Sequence, residues 1–140
     1  MSPTAQALRA QLNQEAVLSA SPARLLTMLY DRLLVDLSRA ERAQGAGDWA
    51  KATEPLLHAQ QIVAELTSSL DVDAWSGAAG LRSIYDYVQT ALIEANVRRD
   101  IERTRESIGI LEPLRQAWHE AAQQLPEAPA GIGGGALGIA

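Results

Sequence analysis

Residues 19–37 read SASPARLLTMLYDRLLVDL, a helix start signal followed at once by a dense apolar helical pattern. The Ser21 hydroxyl can accept from the first unpaired backbone N–H groups, and Pro22 suits the first helical position, where its missing N–H costs nothing. At 100° per residue, Leu26, Leu29, Tyr30, Leu33, Leu37 and Ala40 gather on one wide face, while Arg24, Asp31, Arg39 and Arg42 point away. A face this wide needs partner helices. The helix should run from Pro22 to about Gln44, where QGAGD (44–48) supplies glycines for a C-cap and turn.

The rest of the chain supplies those partners. Asp48 caps a second helix, whose Trp49, Ala52, Leu56, Ala59, Val63, Leu66 and Leu70 recur at alternating steps of three and four. Pro55 should kink it or delay its regular part until about Glu54. After the turn-rich DVDAWSGAAG (71–80), a third helix starts near Ser76 and buries Leu81, Ile84, Tyr85, Val88, Ala91, Leu92 and Ala95, running out near Val97 to Arg99. Asp100 caps a fourth, with a stripe through Ile101, Thr104, Ile108, Leu111, Leu114, Trp118, Ala121 and Leu125 and a bend near Pro113. Short links between four long helices predict an all-α fold, an antiparallel up-and-down four-helix bundle. Residues 1–21 read as a flexible N-terminal segment, helical or extended. Residues 22–125 form the bundle domain, and PEAPAGIGGGALGIA (126–140) reads as a disordered tail.

Composition agrees and excludes several functions. A chain of 140 residues with 47% hydrophobic and 21% charged side chains fits one soluble domain. With 4% aromatic content and no Phe, the core must be mostly Leu, Ile, Val and Ala. A net charge of −5 argues against nucleic acid as a partner, since phosphate-backbone binders carry a basic stripe. The absence of Cys excludes disulfides, thiolate metal sites and a Cys nucleophile. The N-terminus lacks the apolar centre of a signal peptide and no uncharged run could span a bilayer, so the expected location is the cytoplasm, without membrane insertion.

Residues that could carry chemistry are few. GIGGGALG in the tail follows no strand and opens no helix, so it is no phosphate cradle. Glu54 and His58, and His119 and Glu120, lack the paired Glu-x-x-His arrangement of a bundle di-iron site; no metal or cofactor is expected. His58 lies off the apolar stripe and could serve a phosphotransfer bundle, but LLHAQQIV (56–63) lacks the basic and small residues that steady a phosphate, and a solvated histidine is the simpler reading. Asp71 and Asp73 read as solvated turn residues. No enzyme is indicated. More informative are apolar side chains off the core stripe: Met28 and Val35 on the first helix, Leu57 and Ala64 on the second, Ile93 and Val97 on the third. Such grooves suit amphipathic segments of a partner, as a dedicated chaperone or a generic bundle adaptor would need.

VLSASPARLLTMLYDRLL (17–34) resembles the opening signature of the flagellar secretion chaperone FliS family, with its Ser-Ala-Ser-Pro turn and Leu-Tyr-Asp sequence. AQQIVAELTSSLD (59–71) is similar to the family's second helix, LRSIYDYVQTALIEANVRRDIE (81–102) to its third helix and following turn, and ILEPLRQAWHEA (110–121) to its fourth. The resemblance implies a non-enzymatic bundle in the bacterial cytoplasm that binds the C-terminal segment of flagellin, prevents premature polymerisation and keeps the client competent for flagellar type III secretion. It implies the export apparatus as a further partner, and a monomer or weak homodimer. Val17 and Leu18 match the segment that lies over the bundle and shares a groove with the client, which it would mask until displaced. With the off-stripe residues, the candidate partner-binding set is Val17, Leu18, Met28, Tyr30, Val35, Tyr87, Ile93, Asn96 and Val97. Tyr87 is expected at the edge of its stripe with its hydroxyl in water. The chain departs from the family at Leu12, where many members carry a Tyr before the turn, at Arg32, where they carry a Gly, and around Trp75, which has no counterpart.

Overall fold

The computed structural model describes residues 22–124; the readings made for residues 1–21, including Val17 and Leu18, for Leu125 of the fourth stripe, and for residues 126–140 lie outside them. Four helices follow in order: α1 (Pro22–Gly45), α2 (Trp49–Ser69), α3 (Ala78–Val97) and α4 (Ile101–Gln124), with no strand among the described residues. They pack as a square, α1 against α2 and α4, α3 against α2 and α4, so that α1 and α3 stand on one diagonal. The result is an antiparallel up-and-down bundle.

Local chemistry sets the corners. Gly47, at φ 75°, closes α1: its N–H donates to the Gln44 carbonyl at 2.9 Å and the Asp48 N–H to the Ala43 carbonyl at 2.9 Å, a pair of bonds that satisfies two end carbonyls. Asp48 then turns from closing one helix to opening the next, its Oδ1 accepting from the Lys51 N–H at 3.0 Å. The α3–α4 corner repeats the device without a glycine. There the Arg98 and Asp100 N–H groups donate to the Glu94 and Ala95 carbonyls at 2.9 and 3.1 Å, and Arg99 takes the left-handed position at φ 54°. Asp100 Oδ1 accepts from the Glu102 N–H, as its capping role requires.

The core follows the expected stripes on three helices. Leu33, Leu37 and Ala40 of α1 meet Leu56, Ala59, Val63 and Leu66 of α2 and Leu81, Val88 and Leu92 of α3, all buried. α4 differs. Among its apolar stripe residues only Leu111 is fully buried, while Ile108, Leu114 and Trp118 are packed against the core yet half-exposed, and Ala121 is exposed. Leu26, expected in the core, is also half-buried.

One proline expectation needs correction. α2 is helical from Trp49 onward, so Pro55 does not delay its regular part. The ring removes one donor to the Lys51 carbonyl, but Lys51 is exposed and water can replace the lost bond, while Pro55 itself is buried in the core. α4 likewise continues through Pro113, where the carbonyl deprived of a donor belongs to exposed Gly109.

Candidate functional site

With the stripes turned inward, a second set of large apolar side chains remains on the outside. Met28 and Val35 are both about half-exposed on α1, and being seven residues apart they share one face. Leu57 is exposed on α2. Ile93 is 45% exposed and Val97 74%, and at a spacing of four they form a short ridge at the C-terminal end of α3. Asn96 is half-buried beside them. These residues do not converge on one patch: α1 and α3 are diagonal to each other, so Met28 and Val35 lie on a different side of the bundle from Ile93 and Val97. The apolar features are therefore distributed around the bundle, which suits a partner that wraps more than one that docks at a point.

Polar side chains bridge the α2–α3 groove near this ridge. The Gln89 Nε2 donates to the Gln60 carbonyl at 3.0 Å and the Gln60 Nε2 to the Leu92 carbonyl at 3.5 Å, while Gln89 Oε1 is buried without a partner. On the α3–α4 side Tyr87 is exposed at its ring, but its hydroxyl is not simply in water. It donates to Glu106 Oε2 at 2.7 Å and accepts from Arg103 Nη1 at 3.2 Å, and Arg103 also pairs with Glu94 at 3.2 Å. The hydrogen bond to Glu106 pushes the Tyr87 phenol up, and the same bond with Arg103 holds the Glu106 carboxyl down. Tyr87 is thus fixed across two helices.

Tyr30 is corrected most sharply. It is fully buried, and its hydroxyl meets the Tyr85 hydroxyl at 2.7 Å inside the bundle, so the assembled fold leaves it no surface to offer a partner. The helical phase already placed Tyr30 on the inner face; the structure follows that phase.

His58 also differs from expectation. It is no simply solvated side chain: three-quarters buried, it bonds through Nδ1 to Oδ2 of Asp36, a carboxylate only 1% exposed. Arg32 and Arg39 stand 3.6 and 3.9 Å from the other Asp36 oxygen, which makes no hydrogen bond of its own. Asp36 falls between Leu33 and Leu37 in sequence, at an inward phase of α1, but its partner is on another helix and no local spacing announces the pair. On the opposite flank of α1, Asp31 Oδ1 accepts from Arg115 Nη1 at 2.9 Å and His119 Nε2 at 2.7 Å, tying α1 to α4. Among the described residues, no group of three or more His, Asp or Glu side chains is placed to hold a metal ion.

The comparisons with known proteins bear on this arrangement. Residues 4–125 match the family model described as flagellar protein FliS. The chain is 31% identical over 121 residues to the flagellar secretion chaperone FliS of Bacillus subtilis (strain 168), covering 86% of this chain and 90% of that protein. It is 34% identical over 109 residues to the protein of the same description from Salmonella typhimurium, covering 76% and 81%. A solved structure described as a flagellar chaperone from bacteria shares the fold, with a TM-score of 0.68 at 17% identity, over 84% of this chain and 99% of that one.

Proposed function

The chain belongs to the flagellar protein FliS family, and on that premise we propose that it is a cytoplasmic export chaperone for the C-terminal segment of flagellin. The observation that supports this reading is the exposure of Met28, Val35, Leu57, Ile93 and Val97 on different sides of a bundle whose core is already filled by other residues. Apolar side chains with no role in the fold are available for a client. Flagellin's terminal segments pair with other subunits in the filament, so a cover on the C-terminal one blocks premature polymerisation and holds the chain unfolded for a narrow secretion channel. Ordering a flexible client costs about 2–5 kcal/mol or more, which a wrapped contact area offsets. The protein acts by binding, without a catalytic step, and hands its client to the export apparatus. Among the described residues, no helix is long and apolar enough to cross a membrane.

The test is calorimetric titration of the full chain with a synthetic C-terminal peptide of flagellin from the same organism, with a scrambled peptide as control. Saturable one-to-one binding with a negative heat-capacity change, absent for the scrambled peptide, is the expected result. A folded protein that binds neither peptide would overturn the reading.

A further inference from the structure

The residues around His58 in the sequence include none that would steady a phosphate, but the fold brings two arginines to it from the neighbouring helix. His58 bonds through Nδ1 to Oδ2 of Asp36, which is 1% exposed. A carboxylate only accepts, so the proton sits on Nδ1, and the lone pair of the neutral ring is on Nε2. The two ring nitrogens face nearly opposite ways. With Nδ1 turned in to a buried partner, Nε2 is directed away from it, on a side chain that is one-quarter exposed. Arg32 and Arg39 stand one turn before and one turn after Asp36 on α1, both about half-exposed, with nitrogens 3.6 and 3.9 Å from Asp36 Oδ1. Those separations are too long for hydrogen bonds, and Oδ1 has no hydrogen-bond partner, so the guanidinium donors are not spent on this carboxylate.

An imidazole held in one tautomer by a carboxylate and flanked by two guanidinium forks is a nucleophile beside an anion cradle. Phosphoryl transfer suits it on charge grounds. Attack of Nε2 on the phosphorus of a donor forms an N–P bond while the bond from phosphorus to the leaving group breaks, and the leaving group departs with that bond's electron pair. Nδ1 keeps its proton throughout. The phosphorylated ring is therefore cationic, and it lies against Asp36, whose buried charge then has a directly hydrogen-bonded counter-ion. The negative charge settles on the terminal phosphoryl oxygens, the kind of acceptor that arginine forks hold best. Glu54, exposed one turn before His58 on α2, offsets part of the positive charge, which favours a covalently held group over a freely exchanging ion.

We propose that His58 is a phosphoryl-acceptor site, at which Nε2 takes the phosphoryl group of a donor with a labile N–P bond, Asp36 positions the ring, and Arg32 and Arg39 hold the transferred group. The site lies on the α1–α2 flank, away from the α3 ridge, and it stands whether or not flagellin is the client.

The test exposes the full chain at neutral pH to potassium phosphoramidate, whose leaving group is ammonia. Uptake is followed by intact mass and by phosphorus NMR, which separates the Nε2 from the Nδ1 adduct. The same chain unfolded in urea gives the intrinsic reactivity of its two histidines, His58 and His119. The folded protein should take up a single acid-labile phosphoryl group on His58, at least about tenfold faster than the unfolded chain. The label should sit on Nε2 alone, because Asp36 occupies Nδ1. Arg32→Gln combined with Arg39→Gln should remove most of the rate gain with circular dichroism unchanged, since both side chains are half-exposed and the Asp36–His58 bond remains. A purely structural pair would show no such dependence. A folded chain that labels no faster than the unfolded one would overturn the proposal. So would a label on His119 in place of His58, a label on Nδ1, or an undiminished rate in the double arginine variant.

Discussion

The hydroxyls of Tyr30 and Tyr85 meet at 2.7 Å across the diagonal of the bundle, joining α1 and α3, two helices that are not direct neighbours. Burial pushes both phenols up, so the pair stays protonated and one hydroxyl donates to the other. Trp118 of α4 covers them, its ring 6.5 Å from that of Tyr30 and tilted by 57°. At the other end of α1, Gln44 makes a second diagonal tie: its Nε2 donates to the Ala95 carbonyl at 3.2 Å and its Oε1 accepts from Thr104 at 2.7 Å. A core of Leu, Ala and Val offers similar packing to helices slipped by one turn. Buried polar pairs at two levels penalise such slips, because each would leave its partner unsatisfied.

Tyr30→Phe and Tyr85→Phe should each destabilise the fold by about 1–3 kcal/mol, because each leaves the other hydroxyl buried and unpaired. The double variant should lose less than the sum, since removing both groups abolishes the penalty. Denaturant unfolding of the four chains, read as a double-mutant cycle, measures the coupling. Additive losses would mean that the two hydroxyls act independently.

His58→Ala should cost about 1–3 kcal/mol by depriving buried Asp36 of its hydrogen-bond partner, with Arg32 and Arg39 limiting the loss. Asp36→Asn in the same background should recover part of it, because a neutral amide is easier to bury than an unpaired carboxylate. Flagellin-peptide affinity of His58→Ala, measured where the variant remains folded, should equal that of the parent.

These pairs show what the sequence could and could not disclose. Helix positions, the Asp caps and most buried residues follow from local rules: the period of the apolar residues, Pro22 and Asp starts, and a Gly-rich turn. Tyr30–Tyr85 and Asp36–His58 depend on which helices become neighbours or diagonals, and residues 55 and 22 positions apart carry no local mark of pairing. Tyr30 entered the partner-binding set through family resemblance although its own periodicity placed it inside. The α4 stripe was legible as apolar but not as half-buried: Leu114, Trp118 and Ala121 line an apolar pocket with Trp75, Leu81 and Ile84, neighbours that no local spacing announces. Exposed Met28, Val35, Ile93 and Val97 were found because an apolar residue out of phase with its stripe is a local signal.

Acid should remove the contribution of the Asp31 cluster. Burial raises the Asp31 carboxyl, but the hydrogen bonds and charges of His119 and Arg115 outweigh it and hold the group below its ordinary value. A carboxyl depressed in the folded state contributes stability above its unfolded value, about pH 3.9, and loses it as pH falls through the folded value. Asp31→Asn should therefore lower Tm at neutral pH, with the gap to the parent closing as pH drops below 4. A gap that stays constant on acidification would mean that the carboxylate's charge is irrelevant. Asp31 is half-exposed, so the effect should be modest.

Arg99→Gly should stabilise the protein. Arg99 holds φ 54° to close α3, a conformation costing a non-glycine residue roughly 1–2 kcal/mol. Glycine adopts it without strain but adds unfolded-chain entropy of about 0.5–1 kcal/mol, leaving a net gain of about 0.5–1 kcal/mol. Arg99→Ala keeps the strain and should gain nothing. Thermal unfolding of both variants separates a backbone effect from loss of the arginine charge, since both remove the charge and only one relieves φ.

Ile93→Asp tests the α3 ridge directly. Ile93 is half-exposed, so an aspartate there keeps its carboxylate in water and should leave Tm close to that of the parent. If the side chain lies against flagellin, the same carboxylate must be desolvated on binding or the client must withdraw from it, and affinity for the C-terminal peptide should fall at least tenfold, about 1.4 kcal/mol. Val97→Asp, one turn away on the same ridge, should behave likewise. Met28→Asp on α1 distinguishes wrapping from local docking: a client that circles the bundle loses affinity there too, whereas one confined to α3 does not. A large fall in Tm for Ile93→Asp would instead place the residue in the core, and unchanged affinity with unchanged Tm would remove the ridge from the client surface.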